Sequence, residues 1–592
     1  MNITPNKLSI AQLFATNNEQ FIVPSYQRRY AWGYNQVAAL FDDINMLKDG
    51  DGHLFGMILL HTHTHVGGLN KPELVDGQQR LTTLTILLKA LQKRFDDIGN
   101  QDRKNEIEKM LGCSGYDEVK LPKLLLGELD NEDLVHLLKS DENYEYTNRK
   151  IADAYDNFLN WLEDLTKEEL NRFYFKLTNV AVLIRLDVGM AQDAYKLFET
   201  INNRGLKLSP TDIIKNFLLG HAAKISSETL EKTKELWSRI IINLDGIDSD
   251  DFFRQFMCAL IQRKITKTML VYEFKNYYFK HIDKADMLGE FDYYVDELYE
   301  EESEEETNFE RKDETAEEIE TSKKTITEFL SELKNLSKVY RKIALEEFEE
   351  VKINRHVSYF NRILSKPTYI FLMPFLQRDF LLNTKIEVLK MLEAFMLRRH
   401  ICEMRTSEHD DIFSKMIPVL ESENVIAEIK DHLEEFFPED DDFYISFPKH
   451  KFKGKLADRA KYVLEKIEYF ENGDTGELLV SSGSEVELEH IIPQTINTKR
   501  AKNEFGDWEE YLGEKSSVKH KKFVDLIGNM TLLADSLNIQ ASNNPFVKKK
   551  ESYRNSSLSI TKILGEKSDF KFDDIEKRGE DLAEKAIEIW KI

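Results

Sequence analysis

The stretch VELEHIIPQ, residues 486–494, has the alternating pattern of a β-strand that ends at a proline. The stretch IGNMTLLADSLN, residues 527–538, supplies a short apolar strand and then the start of a helix. Asparagines flank the second strand and recur in the helix. The sequence therefore predicts two strands and a short helix near the C-terminus, with His490 on the first strand.

The polar residues of this unit are the types that phosphodiester hydrolysis needs. They are Glu489, His490, Asn529 and Asn538. A neutral imidazole accepts a proton from water near neutral pH, and a divalent cation held by a carboxylate and an amide oxygen polarises a phosphate. Asn529 is expected to fix the imidazole or its loop by hydrogen bonds. On these residues alone, an ordinary strand histidine among turn-forming asparagines is the competing interpretation.

The charge of the chain is uneven. The net charge is −25, and residues 296–320 hold 14 acids against 2 bases. Residues 448–562 hold 19 Lys and Arg against 17 Asp and Glu. A nucleic-acid partner is repelled by acidic surface, so the C-terminal region is the better place for one. The basic residues expected to neutralise phosphate there are Lys499, Arg500, Lys519, Lys521, Lys522, Lys548, Lys549, Lys550 and Arg554.

A second candidate site lies at LVDGQQRLTTL, residues 74–84, where a predicted strand meets a predicted helix. Asp76 occupies the expected N-cap position. Free backbone N–H groups and the helix dipole at such a junction bind anions, and Arg80 is suited to a bidentate phosphate contact. Gln78 and Gln79 offer hydrogen bonds to a base, ribose or phosphate. A capped helix with surface glutamines is the competing interpretation, and no GxxxxGK[ST] motif is present.

Length and composition limit the class of protein. A chain of 592 residues with 41% hydrophobic residues predicts a globular protein of several domains. No apolar run reaches the ~18 residues of a membrane span. The three cysteines form no CxxC pair, which disfavours a disulfide framework and a four-cysteine zinc site. A reducing cytoplasm is the expected location.

Four C-terminal segments resemble, in order, the HNH-type domain of the GmrSD family of modification-dependent restriction proteins. They are LEHIIPQ, IGNMTLL, LNIQASNNPF and KKKESY, within roughly residues 440–592. The resemblance implies that His490 is the general base and that Glu489 and Asn538 hold Mg²⁺ or Mn²⁺. Asn529 matches the central asparagine of the motif, although Asn543 or Asn544 competes with Asn538. Lys549 and Tyr553 match the trailing F-x-x-K-x-x-x-Y pattern.

Three N-terminal segments are similar to the ParB-like domain of the same family and of its phosphorothioate-sensing relative SspE. They are VPSYQRRYAW, LVDGQQRLTTL and FETINNRGLKLSPTDIIKNFLL, within about residues 1–220. The resemblance implies binding and hydrolysis of a nucleoside triphosphate (GTP, ATP or UTP), with Arg28 and Arg80 on its phosphates. The implied nucleotide-binding residues are Asp76, Gly77, Gln78, Gln79, Arg80, Gln27, Arg28, Asn202 and Arg204.

These observations predict an α+β fold in three parts. They are a ParB-like nucleotide-binding domain (1–220), a mostly helical connector (221–440) and a ββα-metal HNH domain (441–592). The expected function is cleavage of modified, double-stranded phage DNA, regulated by nucleotide. Two alternatives stay open: a phosphorothioate-sensing nicking enzyme, and a nucleotide-dependent DNA-binding scaffold with an inert HNH site. The oligomeric state is left open, with a homo-oligomer allowed.

Overall fold

The computed structural model describes residues 3–47, 53–62, 64–141, 143–202, 209–288, 323–473 and 486–592. They form two compact units: residues 1–253 with 266–338, and residues 254–265 with 339–592. The fold is α+β, as predicted, and 65% helical. The division into three parts at residues 220 and 440 stays a prediction. None of the helices in the described ranges is long and apolar enough to cross a membrane.

The first unit contains a mixed sheet. Among the described residues, six strands pair in the order β1 (Ile3–Ser9), β10 (Ala181–Val188), β3 (His53–His61), β6 (Glu73–Asp76), β2 (Phe21–Ile22) and β9 (Leu124–Leu125). Strand β10 is antiparallel to β1 and parallel to β3, and β3 is antiparallel to β6. The strand predicted to lead into DGQQR is confirmed as β6. The strands of this unit are β1 Ile3–Ser9, β2 Phe21–Ile22, β3 His53–His61, β4 His65–Val66, β5 Leu69–Asn70, β6 Glu73–Asp76, β7 Gly112–Cys113, β8 Leu121–Pro122, β9 Leu124–Leu125 and β10 Ala181–Val188.

Helix α3 (Gln78–Asp97) lies at the centre of this unit and packs against α4 (Gln101–Leu111) and α6 (Arg149–Glu163). Its leucines at 81, 84, 87, 88 and 91 are fully buried, and each stabilises the fold by about 1.5–3 kcal/mol. The helices are α1 Ile10–Phe14, α2 Tyr34–Met46, α3 Gln78–Asp97, α4 Gln101–Leu111, α5 Asn131–Lys139, α6 Arg149–Glu163, α7 Lys167–Phe175, α8 Ala191–Asn202, α9 Pro210–Ile225, α10 Ser227–Asn243, α11 Ser249–Ile261, α12 Leu270–His281 and α13 Ile326–Leu345, of which α11 and α13 cross the unit boundary.

The start of α3 differs by one residue from the prediction. Asp76 ends β6, and the N-cap of α3 is Gly77, with φ of 92°. This left-handed conformation favours glycine, and a Cβ atom there would lie 2.7 Å from Ile58 Cγ2. The strand therefore turns into the helix within a single residue. The N-cap of α9 is Ser209, and Pro210 occupies the first helical position.

In its described residues, the second unit has helices and one pair of strands. Strands β11 Val486–His490 and β12 Met530–Ala534 are antiparallel. The helices are α14 Val351–Arg362, α15 Tyr369–Gln377, α16 Leu382–Ile401, α17 His409–Lys415, α18 Val425–Glu434, α19 Asp440–Ser446, α20 Ala457–Asn472, α21 Lys499–Phe505, α22 Trp508–Leu512, α23 Ser516–Phe523, α24 Asp535–Ala541, α25 Phe546–Arg554, α26 Ser559–Lys562 and α27 Phe572–Ile589. The mostly helical character predicted for residues 221–440 is confirmed where that region is described.

We expect the second unit to lose stability in acid because desolvation lowers the pKa of half-buried His400 and of buried His409. Burial, reinforced by Arg459, lowers the pKa of His400 to about 3, and burial with Arg399 lowers the pKa of His409 to about 4. The unfolded chain binds protons at these residues below pH ~6.5, whereas the folded protein does so only near pH 3–4. The free energy of unfolding should therefore fall from pH ~6.5 downward, by about 1.4 kcal/mol per pH unit for each histidine.

Urea unfolding measured between pH 7 and 4.5 tests this expectation. The double variant His400→Gln/His409→Gln should show a flatter dependence on pH than the wild type. An identical slope in the two proteins would contradict it.

Candidate functional site

The predicted strands and helix of the C-terminal site are present. In the β11–β12 pair, His490 lies opposite Met530 and Glu489 lies opposite Thr531. Helix α24 begins directly after β12 and packs against both strands. The helix therefore brings Asn538 to the strand pair that carries His490.

His490 lies half-buried at the end of β11. Burial lowers its pKa to about 4; Asp525 opposes this shift, and Lys549 and His520 add to it. Its Nε2 atom lies 3.4 Å from Nε2 of Gln494. The imidazole is therefore neutral at pH 7 and able to accept a proton.

Asn529 is fully buried and fixes the loop that follows His490. Its Oδ1 accepts a hydrogen bond from the Ile492 amide at 2.8 Å. Its Nδ2 donates to the carbonyl oxygens of Ile492 at 2.9 Å and Val524 at 3.0 Å. The sequence left open whether Asn529 fixes the imidazole or its loop, and these three hydrogen bonds all hold backbone. Asn529 is therefore a positioning residue.

Glu489 is buried in an ion pair on the other side of the strand. Lys549 Nζ donates to Glu489 Oε1 at 2.7 Å and to the His490 carbonyl at 2.8 Å, and Tyr553 Oη donates to the same Oε1 at 2.9 Å. Burial lowers the pKa of Lys549 and raises the pKa of Tyr553. Consecutive strand residues point to opposite faces, so Glu489 points away from the face of the His490 imidazole.

This ion pair corrects one sequence prediction. Lys549 was expected to neutralise phosphate, but its side chain is 1% exposed and cannot reach a ligand in solution. The helical periodicity of α25 explains the difference, since Lys549 lies on the buried face with Phe546 and Tyr553, whereas Lys548 is exposed. Of the lysines at 548–550, only Lys548 is fully exposed.

The predicted metal ligands differ in their surroundings. Asn538 is half-buried on α24, whereas the Glu489 carboxylate is already neutralised by Lys549. Asn544 donates to the Gln540 carbonyl at 3.0 Å, which engages its side-chain amide within the helix end. Across the described ranges, no three His, Cys, Asp or Glu side chains form a group that could hold a metal. Asn538 with Glu489 stays a prediction, and the ion pair favours an anchoring role for Glu489.

Three further residues support the site and were not selected from the sequence. His520 Nε2 lies 2.7 Å from the Pro493 carbonyl, and Asp525 acts on the pKa of His490. Arg578 Nη1 donates to the carbonyls of Ile527, Gly528 and Met530 at 3.2, 3.0 and 2.6 Å. A Cβ atom at Gly528 would lie 2.1 Å from the Ile575 carbonyl, so α27 requires glycine there. These contacts are long-range, and no local pattern signals them.

At the N-terminal site, two of the predicted glutamines hold backbone. Gln79 accepts from the Ala31 amide at 2.7 Å and donates to the Arg29 carbonyl at 3.0 Å. Gln27 donates to the carbonyls of Leu74 at 3.2 Å and Val75 at 3.0 Å. Both side chains therefore join the YQRRY segment to β6 and α3, which makes them positioning residues.

Charged side chains converge beside these glutamines. Lys215 Nζ donates to Gln27 Oε1 at 2.6 Å and to Asp212 Oδ1 at 3.2 Å. Lys215 and Arg28 lower the pKa of the buried Asp212, and burial raises the pKa of Asp76. Asp212 and Lys215 lie in the segment SPTDIIKNFLL, but neither was predicted from the sequence to be a site residue. Their i, i+3 spacing after the N-cap was the available signal.

The two arginines that were predicted to bind phosphate differ in their exposure to solvent. Arg28 is exposed, whereas Arg80 is largely buried and donates from Nη1 to the Met57 carbonyl at 2.8 Å. Burial also lowers the pKa of Arg80. Arg28 is therefore the cation that an incoming anion meets first. The helix that carries Asn202 is described but its side chain is not, and Arg204 lies outside the described residues.

Two concavities lie on either side of the YQRRY segment. The smaller, about 20 Å³, is lined by Arg28, Gln78 and Gln79 among others and has room for about one water molecule. Gln78 Oε1 is buried there and has no hydrogen-bond partner among the described residues. The larger is an open groove of about 730 Å³ beside Tyr26 and Glu73. Arg28 lines the smaller concavity together with Gln78 and Gln79, so an anion held by Arg28 would lie beside these two glutamines.

Comparison with protein-family models agrees with the order of the two sites along the chain. The model of the GmrSD restriction endonuclease N-terminal domain matches residues 10–219, and that of the GmrSD C-terminal domain matches residues 437–585. No curated protein matches the chain at a significant level. The first match contains the DGQQR turn, the second contains both strands and α24 of the C-terminal site, and together they cover more than half of the chain. The chain therefore belongs to the GmrSD family of restriction endonucleases.

Proposed function

We propose that this restriction endonuclease cleaves modified phage DNA by phosphodiester hydrolysis at His490, under the control of a nucleoside triphosphate bound at DGQQR. The observation that carries the proposal is the neutral imidazole at the end of β11, opposite Met530 and beside α24. Neutral histidine is the usual general base for water near pH 7. The family assignment supports DNA as the substrate.

In the proposed reaction His490 accepts a proton from the attacking water. The water oxygen bonds to phosphorus, and the bond from phosphorus to the leaving oxygen breaks as that oxygen takes a proton from solvent. Asn529 holds the loop after His490 by hydrogen bonds, and Lys549 donates a hydrogen bond to the His490 carbonyl. A bound Mg²⁺ or Mn²⁺ would polarise the scissile phosphate, and the Asn538 amide oxygen would hold it.

Cleavage assays on matched DNA test this proposal. Duplexes of one sequence, made with cytosine or with a modified cytosine, are incubated with Mg²⁺ or Mn²⁺ and with each nucleoside triphosphate. Cutting that requires both the modification and a nucleotide is the expected result. Nicks confined to phosphorothioate-containing DNA would favour the nicking enzyme, and nucleotide turnover without any cutting would favour the scaffold.

Arg28→Ala is expected to weaken nucleotide binding by at least about tenfold. A charge-assisted hydrogen bond to phosphate contributes about 1.5–3 kcal/mol, and Arg28 is an exposed cation whose carbonyl accepts a hydrogen bond at 3.4 Å from Gln78, the first residue of α3. Isothermal titration with a non-hydrolysable analogue measures the change. Arg94→Ala is the matched control because Arg94 lies near the other end of α3, where it contacts the Leu162 and Glu163 carbonyls. Unchanged affinity in Arg28→Ala would instead favour the 730 Å³ groove as the nucleotide site.

A further inference from the structure

Residues 450–453 form an extended segment next to the loop that precedes β12. Phe452 donates its amide to the Asp525 carbonyl at 2.9 Å, and Lys451 forms a β-bridge with Leu526. His450 and Phe452 are buried, while Lys451 and Lys453 are exposed, which is the alternation of an extended chain. Lys455 follows in the next turn and is also exposed. This segment therefore presents a row of lysines to solvent.

A second group of lysines lies beside this row on α23. His520 and Phe523 are the buried residues of its last turn, whereas Lys519, Lys521 and Lys522 are exposed. Lys451 Nζ lies 3.5 Å from the Lys521 carbonyl, so the two groups are contiguous. We name them together the lysine surface: Lys451, Lys453, Lys455, Lys519, Lys521 and Lys522.

The lysine surface is close to His490. His520, on the inner side of α23, contacts the Pro493 carbonyl and lowers the pKa of His490. Asp525 binds Phe452 through its carbonyl and acts on the same imidazole through its carboxylate. The exposed side of α23 is thus about one helix diameter, ~10 Å, from the loop of the proposed general base.

The charges of this surface are not neutralised by neighbouring acids. Within the described ranges, five of the six lysines have no carboxylate within 4.0 Å, and only Lys522 has one, Glu576 at 3.8 Å. Paired lysines also occur in this unit, such as Lys430 with Glu434 at 3.6 Å and Lys591 with Glu588 at 3.0 Å. These six exposed lysines therefore form a local patch of positive charge in a chain of net charge −25, which favours a polyanionic partner.

We propose that the lysine surface is where the phosphate backbone of double-stranded DNA docks to present a phosphodiester to His490. This inference rests on the proposed function and extends it to a binding surface. Lysine contacts to phosphate position a duplex without reading its sequence, and each releases a counterion. Binding should therefore depend steeply on salt and little on base sequence.

The test measures fluorescence anisotropy of a labelled 30-base-pair unmodified duplex over 50–200 mM KCl. The protein is the full chain carrying His490→Ala, so that no cutting disturbs binding. Adding Lys451→Ala/Lys453→Ala/Lys455→Ala should raise Kd about tenfold or more at 100 mM salt. It should also reduce the slope of log K against log salt by about 2.7, because each phosphate contact contributes about 0.9.

Two matched triple variants serve as controls. Lys415→Ala/Lys430→Ala/Lys591→Ala removes the same charge from lysines paired within the same unit and should leave Kd within about threefold. Lys451→Arg/Lys453→Arg/Lys455→Arg keeps the three positive charges and should bind DNA like the parent His490→Ala protein. An unchanged Kd in the alanine triple, equal losses in both alanine triples, or no binding by the parent would overturn the proposal.

Cleavage by the same triple variants with His490 intact separates the two proposals. Normal binding in the lysine-surface variant together with cutting that needs His490 would refute the surface and leave the nuclease proposal standing. Binding that needs the lysines, in a protein that cuts no DNA, would support the surface and refute the nuclease proposal.

Discussion

His490→Ala should lower the rate of DNA cleavage about 100- to 10,000-fold while leaving DNA binding unchanged. A positioned general base contributes a factor of that size, and alanine cannot accept the proton. Gln494 Nε2, at 3.4 Å, is the one group within hydrogen-bonding range of the His490 side chain among the described residues, so the substitution removes one weak polar contact from a half-buried position. The fall should appear in kcat, since the base acts in the transition state.

Single-turnover cleavage of a labelled modified duplex measures this effect. The matched control is His432→Ala, which removes a histidine of α18 that contacts the Ile412 carbonyl in the same unit. That variant should cut at close to the wild-type rate. Cutting by His490→Ala within threefold of wild type would assign the base to another residue.

The second large effect is expected at the Glu489–Lys549 ion pair. Glu489→Gln leaves the fully buried ammonium group of Lys549 without a negative partner. Lys549→Met leaves the buried carboxylate of Glu489 without a positive partner. Breaking one side of a buried pair costs about 3–5 kcal/mol of stability. The double variant Glu489→Gln/Lys549→Met removes both charges, so it should lose at least ~2 kcal/mol less than the two single losses added together.

Urea unfolding of the four proteins gives the coupling energy of this pair. The pair Lys567–Asp574, joined at 3.0 Å and partly exposed, is the matched control and should show a coupling below ~1 kcal/mol. Additive losses at Glu489 and Lys549 would contradict the ion-pair interpretation.

The same double variant distinguishes an anchor from a metal ligand. If Glu489 anchors the strand, as its hydrogen bonds from Lys549 and Tyr553 favour, the double variant should keep its dependence on Mg²⁺ concentration. Asn538→Ala should shift that dependence to higher Mg²⁺. A shift of the same size in the double variant would return Glu489 to the metal site predicted from the sequence.

The sequence by itself determined the local elements and their order. Alternation in VELEH, the apolar run MTLLA and the leucine spacing after DGQQR are local patterns, and each formed the predicted strand or helix. The predicted family was confirmed for the same reason, since its motifs are short contiguous strings. Histidine at the end of β11 and asparagine on α24 followed from these elements.

Only the tertiary structure decided which polar side chains are free to act. Lys549 belongs to a basic run in the sequence, but the fold buries it against Glu489, 60 residues away. Gln27 and Gln79 resemble ligand-binding residues, yet backbone groups of distant segments engage both. Burial and hydrogen-bond partners depend on segments far apart in the chain, whereas local periodicity reports only one face of one element. Long-range packing therefore separated the side chains that position this protein's sites from those still exposed to a ligand.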